Sequence, residues 1–120
     1  MVSDKRDYTF ARRKKIVDSQ DFKRVMRSGG KISSRNLSLF IKENEKGFHR
    51  LGTVVPKAVG KAVYRNQLKR FCRECFRLHQ HEKPGSFDLV VMVRKGCSIS
   101  DYKEAEGELM KLLGSSSKNR

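Results

Sequence analysis

Apolar residues recur along this chain with two different periods, and the change of period marks its elements. In residues 57 to 80, KAVGKAVYRNQLKRFCRECFRLHQ, the repeat is helical. Wound at about 100° per residue, Tyr64, Leu68, Phe71, Cys72, Cys75 and Leu78 fall on one arc. Arg65, Asn66, Lys69, Arg70, Arg73 and Arg77 fall on the opposite arc, and Glu74 is the only acid in the span. Residues 18 to 28 predict a shorter helix. Asp18 or Ser19 can cap it, and Phe22, Val25 and Met26 form its inner stripe. Gly29-Gly30 is expected to stop it in the left-handed conformation.

Elsewhere the period is two or the run is solid. RNLSLFIKE, residues 35 to 43, alternates: Leu37, Leu39 and Ile41 share a core face, and Asn36, Ser38, Phe40 and Lys42 share the other. Phe40 is then an aromatic ring on a polar face. RLGTVV, residues 50 to 55, predicts a second strand, with Gly52 marking a close approach and Pro56 its end. FDLVVMVR, residues 87 to 94, is a continuous apolar run that suits a central strand. Ser98 or Ser100 is expected to open a last helix with Asp101 in its first turn and a stripe of Tyr102, Ala105, Leu109, Leu112 and Leu113. The order is αββαβα, with room for a bend in the first strand. This predicts a single α+β domain, a two-layer sandwich of helices on a small mixed sheet. Residues 16–113 form the domain, 1–15 a flexible basic arm and 114–120 a polar tail.

Charge adds a footprint to this outline. The chain has 120 residues, 28 Lys plus Arg and 13 Asp plus Glu, a net +15. Residues 1–31 carry ten bases and four acids, and residues 57–77 carry seven bases and one acid, so each segment is net +6. Residues 98–120 balance at four of each. Concentrated charge of one sign points to RNA, DNA or an anionic surface. Like charges at i,i+4, such as Arg65/Lys69 and Lys69/Arg73, repel by about 0.2–0.5 kcal/mol each, a cost that a polyanionic partner would offset. No apolar run reaches the length of a membrane span, and the N-terminus is charged with no apolar signal-like stretch. Three cysteines and no tryptophan fit a reduced compartment, so a cytoplasmic protein is expected.

Candidate chemistry on the chain itself is sparse. His49, His79 and His81 stand in no recognisable arrangement with a nucleophile or a spaced acid, so no catalytic residue is assigned. Cys72-x-x-Cys75 has half the spacing of a zinc site, but both lie on the apolar arc and no second pair follows, so they are read as core and no metal ligand is assigned. Gly60-Lys61 lacks the surroundings of a phosphate loop. What remains is cationic surface with placed aromatics, a combination suited to RNA.

The run Gly60-Lys61-Ala62-Val63, then Arg65-Asn66-Gln67, Lys69-Arg70, Arg73-Glu74 and Arg77, resembles the signature helix of the bacterial ribonuclease P protein component. The likeness covers roughly residues 12 to 113, with Gln67 where a second Arg is usual. It implies a ribosomal protein S5 domain 2-like fold with a left-handed βαβ crossover. It also implies a subunit of the ribozyme that removes the 5′ leader of precursor tRNA, leaving a 5′-phosphate. Catalytic groups are then expected on the RNA with Mg²⁺ held mainly there, and no protein partner is required. Lys61, Arg65, Asn66, Lys69, Arg70, Arg73 and Arg77 are expected to bind the catalytic RNA. Phe22, Met26, Ser38, Phe40 and Lys42 are expected to line a cleft for the single-stranded leader. The rival readings are a ribosomal or structural RNA-binding protein, and a DNA-binding protein that reads adenine through Asn66 and Gln67. No dimerisation stripe or turn-linked partner helix supports the latter.

Overall fold

The computed structural model describes residues 12–118, with side chains described up to residue 115. A 3-10 turn at Arg12–Lys14 leads to α1 (Ser19–Ser28), β1 (Gly30–Ser33), β2 (Leu37–Glu43) and β3 (Arg50–Val54). A second 3-10 turn, Lys57–Val59, precedes α2 (Ala62–His79), then β4 (Phe87–Val93) and α3 (Tyr102–Lys118).

The sheet order is β1-β2-β4-β3, so the apolar run of β4 is central, as its composition predicts. β2 pairs antiparallel with β1 and β4, whereas β3 runs parallel to β4 and is joined to it through α2. Leu37, Leu39, Leu51, Leu89, Val91 and Val93 face α2 and α3 and form the larger core. On the other face Phe40 and Val90 pack with Val25 of α1 and Ile16. Helices therefore cover both faces of the mixed sheet, α2 and α3 on one and α1 on the other.

Several local expectations change. β1 lies in a stretch to which the hydrophobic pattern assigns no element. Ile32 is its only large apolar side chain, so it shows no alternation, and its ladder with β2 supplies what the pattern lacks. Arg35 and Asn36 form the hairpin turn instead of starting β2. Buried Asn36 accepts from the Ser98 N–H at 3.0 Å, and its own N–H donates to Glu108 at 2.9 Å. Gly29 caps α1 without a left-handed turn, at φ −84°. A Cβ there would sit 2.6 Å from the Val25 and Ile41 carbonyl oxygens, so close approach explains this glycine. Asp101, not a serine, caps α3 by accepting the Glu104 N–H at 2.9 Å, while Glu104 accepts the Ser100 N–H at 2.7 Å. α3 continues to Lys118, through most of the segment read as a tail.

Residues 1–11, most of the segment read as an arm, lie outside the described residues. Residues 12–16 are held on the edge of β3. Lys15 bridges to Leu51, and the Ile16 N–H donates to the Leu51 carbonyl at 2.9 Å. Lys14 is buried and donates to Gln80 Oε1 at 2.6 Å, just past the end of α2.

Two polar ties lock helices to this frame. Arg50 on β3 donates from Nε and Nη2 to the two oxygens of Asp88 at 2.8 and 2.7 Å, and Asn44 donates to Asp88 Oδ1 at 2.7 Å. Arg50 also reaches Asp21 of α1 at 3.4 Å. Burial would raise the Asp88 pKa, but the bonds from Arg50 and Asn44 outweigh it and hold the carboxyl below its ordinary range. At the end of α2, His79 meets Glu106 of α3 at 2.6 Å through Nε2 and Glu82 at 2.8 Å through Nδ1. Partial burial opposes the imidazolium, yet the two carboxylates raise its pKa above the ordinary value.

Arg50→Met is expected to lower the unfolding free energy by about 3–5 kcal/mol in urea titration, because Asp88 would keep its charge without its cationic partner. For His79 the sign follows from a folded pKa raised above the unfolded one. Its stabilisation is complete below the unfolded value of about 6.5 and fades as pH rises through the folded value. The stability gap between the wild type and His79→Ala should therefore shrink as pH rises above about 6.5, as read by thermal unfolding at a series of pH values.

Candidate nucleic-acid interface

α2 is long enough to present two faces, and its sequence keeps them apart. Leu68, Cys72, Cys75 and Phe76 are buried, with Tyr64 and Phe71 half-buried beside them. Two side chains differ from the expected arc: Phe76 is inside and Leu78 is 38% exposed. Where β3 and α3 approach the helix sets the seam, and that seam falls toward Phe76. Burial pushes the Cys72 and Cys75 thiols up to about 12, so both stay neutral packing groups. Tyr64 fixes the start of the helix by donating to the Ile99 carbonyl at 2.7 Å.

The outer face carries the expected cations. Lys61, Asn66 and Arg70 are exposed, and Arg65, Lys69 and Arg73 are half-buried at the margins. Among the described residues none of these five bases forms an ion pair. Arg65 donates from Nε to the Gly60 carbonyl at 2.9 Å, which anchors the guanidinium near the helix N-terminus. No acid occupies the first turn and no side chain caps it, so the positive end of the helix dipole adds to Lys57, Lys61 and Arg65. Arg77 departs from the pattern. It is bonded to Glu74 three residues earlier, and the pair neutralises that end of the arc. The i,i+3 spacing explains the pairing: the lone acid of the helix lies one turn before its last arginine.

The second surface lies on the α1 side of the sheet. Ser33, Ser38, Met92 and Val54 stand in one row across four strands, with the Ser33 and Ser38 hydroxyls 2.8 Å apart. Phe22 and Met26 of α1 border this row, both half-buried. Phe40 does not stand proud on a polar face. It is 5% exposed, covered by α1, with the Lys31 ammonium 5.5 Å from its ring centre. Val90 and Met92 make that face of the sheet largely apolar, and this was invisible in β2 read alone. Ser38 is buried too, and Lys42 is half-buried opposite Asp88. Sequence reasoning missed Lys31, Ser33, Val54 and Met92. The parity of β4 could have placed Met92, but Lys31 and Ser33 follow only once β1 is known to pair with β2.

Several acids among the described residues are committed to other contacts. Glu108 accepts from Ser34 and from Asn36, Asp88 from Arg50, and Glu106 from His79 and Tyr102. Among the described residues no three His, Cys, Asp or Glu side chains converge, so the side chains present do not fit a magnesium cage. No helix among them is long and apolar enough to cross a membrane.

The family model for ribonuclease P matches residues 10–116. The chain belongs to the ribonuclease P protein family. It is 42% identical over 101 residues to the ribonuclease P protein component of Clostridium botulinum, covering 82% of this chain and 90% of that one. With the Stutzerimonas stutzeri protein component it shares 39% over 112 residues, covering 92% and 85%. The solved structure of the Staphylococcus aureus RNase P protein superposes with a TM-score of 0.79 at 28% identity, over 86% of this chain and 94% of that chain. The family accounts for the α+β fold with its four-stranded mixed sheet.

Burial assigns Phe40 a packing role first. Phe40→Ala is expected to cost about 3–5 kcal/mol of unfolding free energy, whereas Met26→Ala at the half-exposed margin should cost less. Chemical denaturation of both variants measures the difference.

Proposed function

We propose that this chain acts as the protein component of ribonuclease P in the removal of the 5′ leader from precursor tRNA. It binds the catalytic RNA through the outer face of α2 and the leader beside α1. The observation that carries the reading is the division of α2. One side is anchored in the core and the other presents Lys61, Arg65, Lys69, Arg70 and Arg73 with no carboxylate partner among the described residues. Guanidinium forks suit phosphate oxygens, and a folded RNA offers these at close spacing. Arg77, held by Glu74, is the weakest member of the expected set.

The half-buried edges of Phe22, Met26, Val54 and Met92 supply apolar contact for unpaired bases, and the Ser33/Ser38 hydroxyls and Lys31 supply polar contact beside them. A rigid, partly apolar strip takes single-stranded RNA better than a duplex, whose bases face inward. In this reading the protein lowers repulsion between two polyanions and favours precursor over mature tRNA. Hydrolysis of the phosphodiester, leaving a 5′-phosphate on the tRNA, is assigned to groups on the RNA. Mg²⁺ is assigned to the RNA as well, and the compartment is taken as cytoplasmic.

Reconstitution tests the reading: the chain should raise precursor cleavage by the catalytic RNA at low Mg²⁺. Arg65→Ala with Arg70→Ala should weaken assembly and flatten the dependence of log K on log salt by about 0.7–0.9 for each lost phosphate contact. Unchanged assembly and slope in that double variant would remove α2 as the RNA-binding face.

A further inference from the structure

The apolar stripe of α1 fixes its height above the sheet but not its roll. Val25 packs with Phe40 and Val90, and Phe22, Met26, Val54 and Met92 are packed around them. Such contacts are non-directional, so neighbouring rotations about the helix axis bury similar area. The two ends of the helix are held more closely. At its end, Gly29 brings the chain against the Ile41 carbonyl, where a Cβ would lie 2.6 Å from the oxygen. At its start, one directional polar contact reaches the sheet.

That contact is made by Asp21. Arg50 of β3 is buried, and its Nε and Nη2 are fixed on the two oxygens of Asp88 at 2.8 and 2.7 Å. Its Nη1 then points toward α1 and donates to Asp21 Oδ2 at 3.4 Å. The other oxygen, Oδ1, accepts from Arg24 at 2.5 Å, three residues on. A bidentate guanidinium is directional, so the strand offers α1 a donor of fixed position. Asp21 and Val25 lie on one line of the helix, and Phe22 and Met26 form the neighbouring line. Arg50 and Gly52 share a face of β3, and Phe22 sits on Gly52, where a Cβ would lie 2.5 Å from its ring. Consecutive residues of α1 thus rest on alternate residues of β3, and together they set the roll. A first-turn acid also favours the helix dipole, but that effect is the same for every rotation about the axis.

We propose that Asp21 is a positioning residue for precursor tRNA: held by Arg50, it sets the roll of α1 and so presents the edges of Phe22 and Met26 to the leader. Mature tRNA has no leader. The residue therefore bears on the choice between precursor and product, and not on the cleavage step or on assembly with the catalytic RNA. The proposal rests on the reading of α1 as the leader surface and adds what holds that surface in register with the sheet.

The test variant is Asp21→Ala combined with Gln20→Glu. Exposed Gln20 lies off the Asp21 line, so the change keeps net charge and a first-turn acid while leaving Arg50 without its helix partner. In the free full-length chain the Phe22 ring displaces the Gly52 α-proton resonances, and in the variant these should return toward their random-coil position by NMR. In the holoenzyme reconstituted with the catalytic RNA, the ratio of Kd for mature tRNA to Kd for precursor should fall about tenfold, the scale of one lost ring–base contact. Single-turnover cleavage at saturating precursor and affinity for the catalytic RNA should match the wild type. Asp21→Glu, whose carboxylate still reaches Arg50, should keep both the resonances and the ratio. Unmoved Gly52 resonances overturn the proposal, as does an unchanged ratio when they move, or an equal loss of affinity for the catalytic RNA. Asp21→Asn is read in the same way if the double variant does not fold. Met26→Ala separates the two levels. If it lowers the ratio and the Asp21 variant does not, the positioning role alone falls; if neither lowers it, α1 is not the leader surface.

Discussion

The structure depends on burying the central strands on both sides. Val90 and Val91 are neighbours on β4 that point to opposite faces, and both are almost wholly buried. Phe40 and Leu39 repeat this on β2. A sheet with two apolar faces needs cover on each. The long helices α2 and α3 take the face of Leu39 and Val91, and α1 takes the face of Phe40 and Val90. That requirement puts the basic helix and the first helix on opposite sides of a thin wall. Phe22 of α1 and Lys69 and Arg73 of α2 line one depression beside β3, where Gly52 lets Phe22 come against the backbone.

A second constraint follows from how the few acids are used. Asp21 and Asp88 hold Arg50, Glu108 holds Ser34 and Asn36, and Glu82 and Glu106 hold His79. These carboxylates stabilise contacts between elements and are withdrawn from neutralising the surface. The cations of α2 face outward with Glu74 as their one local counterion. Stability of the fold and exposure of positive charge are two consequences of one distribution of carboxylates. The histidines divide in the same spirit. His79 is held toward its charged form by two acids. His49 is buried, accepts the Phe87 N–H at 3.0 Å through Nδ1, and has its pKa lowered mainly by burial.

Much of this was legible along the chain. The split of α2 into apolar and basic arcs, the central place of β4, the cap at Asp18 and the alternation of Leu37 and Leu39 are local patterns, and each was realised. Their physical basis is short-ranged: helical and strand periods fix which residues share a face before any tertiary contact forms. The resemblance to ribonuclease P proteins drew on the same arcs and spacing. It therefore survived small errors in element boundaries.

What the chain alone left open depends on partners distant in sequence. β1 has no apolar period and exists because β2 offers it a ladder. Phe40 is core because α1 folds over it, and Leu78 yields its place to Phe76 because of where β3 and α3 approach. Arg50 is silent in a hydrophobic pattern and becomes an anchor only when Asp88, thirty-eight residues later, lies beside it in register. The sequence determined which side chains share a face. Tertiary structure decided which faces are covered, because burial depends on what packs against a residue and not on the residue itself.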